Sequence, residues 1–164
     1  MQKKISYQDV IKTLKLEPLT IEGGSFRETY RSQTPAQDAS RTCGTSIYYL
    51  LHAKNISAWH RVENDEIWLY HAGTPAVQLL LFPDGSWQER VIGINLSAGQ
   101  TPQSLIPAGT WQAATLLDQS PDSWGLFGAV VFPAFEYRDF TAGNSAELCA
   151  AYPEAAERIK QLKL

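Results

Sequence analysis

The residues best suited to chemistry lie in one short run, Trp59-His60-Arg61-Val62-Glu63-Asn64-Asp65-Glu66. A neutral imidazole offers a lone pair to a proton or a metal, and a carboxylate beside it can orient the ring or act as a second ligand. In a strand, successive side chains alternate faces, which sends His60 and Val62 one way and Trp59 and Arg61 the other. A turn over 63–65 and an antiparallel return would continue the His60 face with Glu66, Trp68 and Tyr70. The expectation is an imidazole and a carboxylate meeting in a pocket walled by aromatic rings. The plainer alternative is a hydrogen-bonded core histidine beside a solvated acidic turn.

Other candidates are weaker. Arg27, Thr29 and Arg31 alternate with Phe26, Glu28 and Tyr30, so two guanidinium groups are expected on one strand face, as a clamp for a phosphate or carboxylate or as part of a salt-bridged surface or interface. Glu22-Gly23-Gly24-Ser25 lacks the lysine and following helix of a phosphate loop and reads as a tight turn. His71 is expected to point outward or to mark a rim near Gly73, and His52 to end a strand. Of the five tryptophans, Trp59, Trp68 and Trp111 lie nearest the chemical residues, and most are expected in the core. There is no G-x-S-x-G elbow, and neither Cys43 nor Cys149 sits in a nucleophile context, which disfavours triad hydrolases.

The elements that must hold these residues are short strands. Runs rich in Val, Ile, Tyr, Phe and Trp occur at 26–31, 45–51, 58–62, 67–71, 77–82, 87–92, 103–106, 111–117 and 126–132, with turn signals such as Gly73-Thr-Pro75, Pro83-Asp-Gly85 and Pro107-Ala-Gly109 between them. Their regular spacing predicts a sandwich or barrel. Ser6 with Asp9 forms a capping-box pattern ahead of Val10, Ile11, Leu14 and Leu16, so a helix segment is expected in 1–20, ending near Pro18. Tyr152-Pro153-Glu154 starts a second apolar stripe of Ala155, Ala156, Ile159 and Leu162, placing a C-terminal helix in 145–163. With no linker or repeat, 1–164 reads as one all-β domain with short terminal helices and a barrel over 24–140.

At this point the chain resembles the cupin superfamily. His60, Glu66 and Gly73 fall in step with the first His, the Glu and the closing Gly of the first cupin motif, and Pro107-Ala108-Gly109 matches the second motif with Gln112 at its histidine. Glu22-Gly-Gly-Ser-Phe-Arg-Glu-Thr-Tyr-Arg31, Pro102-Gln103, Pro107 to Ala114, and Phe135-Glu-Tyr-Arg-Asp-Phe140 are similar to the branch labelled sugar-epimerase-like. The resemblance implies a double-stranded β-helix, the jelly-roll cupin barrel, and a homodimer. A full cupin metal site has three imidazoles and a carboxylate. Here Val62 stands at the second His and Gln112 at the later one, while Lys54, Thr101 and Leu116 replace the motifs' leading glycines and the asparagine.

A metal-free pocket is therefore expected, with a divalent metal on His60, Glu66 and Gln112, aided by Glu63, as the alternative. The resemblance to dTDP-4-dehydrorhamnose 3,5-epimerase-type barrels implies proton transfer beside a carbonyl, with His60 as base, Glu66 as its partner, and Tyr70, Tyr49 or Tyr30 as acid. Tyr49, Trp68, Gln112 and Arg27 are the expected ligand-binding residues. Three readings stand: an epimerase or isomerase of a carbohydrate-like substrate, a binding module for a small polar metabolite, and a metal-dependent enzyme.

The bulk properties bound the remaining possibilities. The 164 residues are 44% hydrophobic, enough to bury one substantial core. The net charge of -3 and the lack of a basic patch disfavour nucleic acid as partner. No apolar run approaches a signal peptide or a membrane span, so a cytoplasmic location with two free thiols is expected.

Overall fold

The structure is a computed structural model and describes residues 5–37, 40–53 and 55–162. Lys54 and the end of the expected C-terminal helix at 163 lie outside the described residues. Helix α1 (Tyr7–Leu14) begins at the expected capping box: Ser6 Oγ accepts from the Asp9 N–H at 3.2 Å, and Asp9 Oδ2 accepts from the Ser6 N–H at 3.1 Å. It stops before Pro18, at a left-handed Lys15, and the chain then forms a two-residue strand, β1 (Glu17–Pro18).

Strands β2 (Ser25–Arg31), β3 (Thr45–His52), β4 (Ser57–Val62), β5 (Asp65–Gly73), β6 (Ala76–Leu81), β7 (Trp87–Ile92), β8 (Gln103–Ile106), β9 (Trp111–Leu116), β10 (Trp124–Phe132) and β11 (Phe140–Ala142) follow. They form two antiparallel sheets, in the orders β1-β2-β3-β10-β5-β8 and β11-β4-β9-β6-β7. The sheets face one another across a core that joins Tyr49, Trp68 and Phe127 of the first to Leu80, Ile92 and Leu116 of the second. This is the expected jelly-roll class.

The C-terminal segment is two helices rather than one: α2 (Ser145–Ala151) and α3 (Ala156–Gln161), separated by a 3-10 turn that starts at Pro153. Proline at a helix start has no N–H to lose and a φ already suited to the first turn, so it opens a new helix and cannot extend the old one. Together α2 and α3 cover the outer face of the second sheet, where Leu148, Ala155 and Ile159 pack on Trp59, Leu79, Leu81 and Ala113. That cover explains why both faces of β6 are buried, and why Trp59 is buried although it points away from His60. Both cysteines are free thiols.

Strand alternation fails at one consequential place. The pairing of β2 with β3 slips between Glu28 and Tyr30, leaving Thr29 without a partner residue. An extra residue in one strand reverses the facing of everything after it. Arg31 therefore shares the inner face with Phe26 and Glu28, while Arg27 faces outward, its guanidinium 5.5 Å from the Tyr48 ring centroid. The two arginines lie on opposite faces, and the expected guanidinium pair does not form.

Candidate functional site

Between the sheets lies a cavity of about 220 Å³, lined in its depth by Glu22, Phe26, His60, Val62, Glu66 and Phe140. His60 comes from β4 and Glu66 from the start of β5, across the tight turn that the sequence predicts. The ring of His60 is 3% exposed and stacks on Phe140, with centroids 5.2 Å apart and planes at 14°. Its Nδ1 lies 2.8 Å from the carbonyl oxygen of Ala58. A carbonyl only accepts, so Nδ1 carries the proton, and Nε2 of the neutral ring is left with its lone pair. Among the described residues no hydrogen bond reaches Nε2; Glu22 Oε2 faces it at 3.7 Å.

Glu22 is the residue that spacing along the chain does not reveal. Gly23, at φ +105°, brings the backbone so close to β4 that a Cβ there would lie 2.3 Å from the Ile56 carbonyl oxygen, a conformation and an approach only glycine tolerates. The turn locks as the Ala58 N–H donates to the Glu22 carbonyl at 2.8 Å, and the Ser57 hydroxyl donates to Glu22 Oε1 at 2.7 Å. The expected tight turn is present, and its effect is to hang a carboxylate over His60.

Glu66, also buried, is held by two neutral donors: Trp68 Nε1–H to Oε1 at 3.0 Å and Gln112 Nε2–H to Oε2 at 2.7 Å. Behind Gln112 the hydrogen bonds continue into the barrel. Ser104 Oγ donates to Gln78 Oε1 at 2.7 Å, and Arg90 donates to Ser104 Oγ at 3.0 Å. This chain runs from the cavity to the open edge between β7 and β8, where Arg90 also reaches the Leu105 carbonyl at 2.7 Å.

Burial raises the pKa of Glu66, against the lowering by His60 and by its two hydrogen bonds, while the charge of Glu22 adds to the rise. Because the folded pKa exceeds the unfolded one, the native state binds more protons in the window between them, and stability falls as pH rises through it. Glu66→Gln should therefore show a flatter dependence of melting temperature on pH above about 4.5, the ordinary carboxyl value. A wild type that gains stability relative to the variant over that range would show that the ionised form is favoured instead.

The other expected site residues take different places. Tyr49, 1% exposed, lies in the core; its hydroxyl donates to the Gly23 carbonyl at 2.9 Å, and burial, reinforced by the Glu22 charge, holds its pKa well up. Tyr70 shares the face of Glu66 but sits further along β5, where its hydroxyl donates to the Gly73 carbonyl at 2.6 Å. Same-face residues four apart on a strand are separated by about 13 Å, and Tyr70 does not line the cavity. Arg27 is excluded from it because alternation with Phe26 and Glu28 turns it to the outer face, and the β2 slip brings Arg31 inward in its place. Tyr30 is outside too, 61% exposed. His52 stacks on Tyr7 with centroids at 4.3 Å, and His71 meets Tyr48 edge-on from the outer face.

At the mouth, Arg31 donates through Nε and Nη2 to Glu28, through Nη1 to Glu136 at 3.1 Å, and to the Phe135 carbonyl. The hydrogen bond to Glu28 is the chief cause of a raised Arg31 pKa, with Glu136 contributing. Tyr137, also at the mouth, is a cavity-lining tyrosine that the sequence did not single out.

The donor set does not fit a three-imidazole metal site. Val62 presents an apolar side chain to the cavity, Gln112 turns its amide nitrogen to Glu66, and both Glu66 oxygens already accept hydrogen bonds. Gln112 is thus a support for Glu66 rather than an oxygen ligand beside it. Glu63 is engaged with Arg61 on the surface at 3.5 Å. Among the described residues no group of three or more His, Cys, Asp or Glu side chains is placed to hold a metal ion.

Comparison with known proteins agrees with the fold. A family model described as cupin superfamily (DUF985) matches residues 8–143. The uncharacterized protein YML079W of Saccharomyces cerevisiae is 31% identical over 135 residues, 73% of this chain and 67% of that protein. The crystal structure of protein SO0799 from Shewanella oneidensis superposes with a TM-score of 0.88 at 35% identity, covering 98% of this chain and 99% of that one. A hypothetical protein from Leishmania major gives 0.86 at 27% identity, covering 96% and 98%.

Proposed function

The chain belongs to the DUF985 family of the cupin superfamily, and from that premise we propose that its cavity binds a small carbohydrate-like molecule on which His60 acts as general base, giving an epimerase or isomerase that needs no resident metal. The observation that supports this reading most is the tautomer of His60. The Ala58 carbonyl claims Nδ1–H, so the neutral ring offers the Nε2 lone pair to the cavity. In the proposed step, the proton of a C–H beside a carbonyl passes to Nε2 and its electron pair moves to the carbonyl oxygen, giving an enol or enolate. Glu22, facing Nε2, favours the imidazolium that forms. Return of a proton to carbon from the other face gives the epimer. Tyr137, at the cavity mouth, is better placed for that return than Tyr49 or Tyr70, whose hydroxyl protons are committed to backbone carbonyls.

The experiment is proton exchange. Protein treated with EDTA is incubated in deuterated water with a panel of aldoses and ketoses, and loss of the signal of the carbon-bound proton next to the carbonyl is followed by NMR. Exchange above the protein-free rate for at least one sugar is expected. If ligands raise the melting temperature while no member of the panel exchanges, the cavity is a binding site and the catalytic reading is wrong.

A further inference from the structure

We propose that the cavity selects a ligand bearing a protonated amine, an amino sugar over its neutral or acidic counterparts. This rests on the reading of the cavity as a carbohydrate-like site and adds the charge of the occupant.

Two independent features support it. The first is a missing donor. His60 Nε2 and Glu22 Oε2 are both acceptors when the ring is neutral, and they face each other at 3.7 Å, with the histidine almost wholly buried. The other Glu22 oxygen is taken by Ser57. Two acceptors aimed at one space, His60 buried and Glu22 partly so, are satisfied by a group that carries several hydrogens and no lone pair, which describes an ammonium; an anion would add a third acceptor.

The second is the charge of the lining. Glu22, Glu28, Glu66 and Glu136 face a single guanidinium, Arg31. That guanidinium is clamped between Glu28 and Glu136, so it is spent on the protein's own carboxylates and leaves the cavity acidic. Aromatic rings of Phe26, Phe135 and Phe140 complete the wall, and their faces attract cations. In a 2-amino sugar the amine-bearing carbon is also the one next to the carbonyl. The Nε2 lone pair accepts one hydrogen at a time, so the ammonium must pass to Glu22 alone before the adjacent C–H meets the same nitrogen.

Calorimetric titration of the full chain in EDTA, at a pH where the amine is protonated, compares D-glucosamine, D-glucose and D-glucuronate. Glucosamine is expected to bind at least about tenfold more tightly than glucose, the scale of one charge-assisted hydrogen bond, and glucuronate more weakly than glucose. Glu22→Gln should bring the glucosamine to glucose ratio close to one; if that variant does not fold, the wild-type ranking decides alone. Equal or tighter binding of glucose or glucuronate, no saturable binding of glucosamine, or a preference seen only when EDTA is omitted would overturn the proposal. Deuterium exchange without the amine preference would sink this inference and leave the general base standing. The preference without exchange would do the reverse.

Discussion

Replacing His60 with alanine is expected to slow deuterium exchange into a responsive sugar by about 10²–10⁴-fold, the usual contribution of a positioned general base. The expectation follows from the surroundings of the ring. Its Nδ1 is tied to Ala58 and its plane lies on Phe140, so Nε2 points into the cavity without having to be ordered when the substrate arrives. His60→Gln is the companion variant, since it fills more of the space left by the ring and carries no basic nitrogen. Both variants should lose exchange, and added imidazole should restore part of it to the alanine variant, whose vacated space can admit the free base. Circular dichroism separates this loss from unfolding. An alanine variant that folds and exchanges at the wild-type rate would remove His60 from the reaction.

How far the site was legible in the sequence depends on the range of the contacts involved. His60 and Glu66 belong to adjoining strands joined by a tight turn, and alternation along each strand is enough to bring them together. The facing of Trp68, two residues beyond Glu66, was legible for the same reason, but it was expected to bind ligand and instead lies in the core, supporting Glu66 without lining the cavity. Tyr70 obeys the same alternation, yet translation along the strand carries it out of reach; facing is periodic, whereas distance accumulates. Arg27 and Arg31 were assigned a common face because a slip in pairing leaves no mark in composition.

Glu22 was hidden for a different reason. It meets His60 through a loop-to-strand contact 38 positions away, set by a positive-φ glycine whose tight turn could be foreseen but whose direction could not. Glu136 and Tyr137 reach the mouth from the segment after β10, again through tertiary placement alone. The strand pattern, by contrast, was almost complete because it depends on local alternation and turn residues. The omissions, β1 and β11, are two and three residues long, too short for any periodicity to show.

Trp68→Ala is expected to lower the free energy of unfolding by about 3–5 kcal/mol, the range for truncating a buried large aromatic residue, read from urea unfolding monitored by circular dichroism. Trp68 is 2% exposed and sits where the two sheets meet, edge-on to Tyr49 at 5.3 Å and tilted against Phe127 at 5.5 Å. Its loss leaves a cavity among side chains that have no slack to fill it. Trp68→Phe divides the effect. It keeps most of the apolar contact and removes only the Nε1–H that Glu66 accepts, so a smaller loss of about 1–3 kcal/mol is expected, the penalty for depriving a buried polar group of a partner.

That smaller loss should depend on pH. The Trp68 bond lowers the pKa of Glu66, so removing it raises a folded-state value that burial has already raised. The deficit of Trp68→Phe is then greatest where wild-type Glu66 is ionised, and it shrinks as pH falls and the carboxyl is protonated in both proteins. A deficit that is constant across pH would assign the whole loss to packing. A deficit that shrinks on acidification would show that the indole stabilises the charged carboxylate next to His60, which gives a core tryptophan a direct part in setting the protonation of the site.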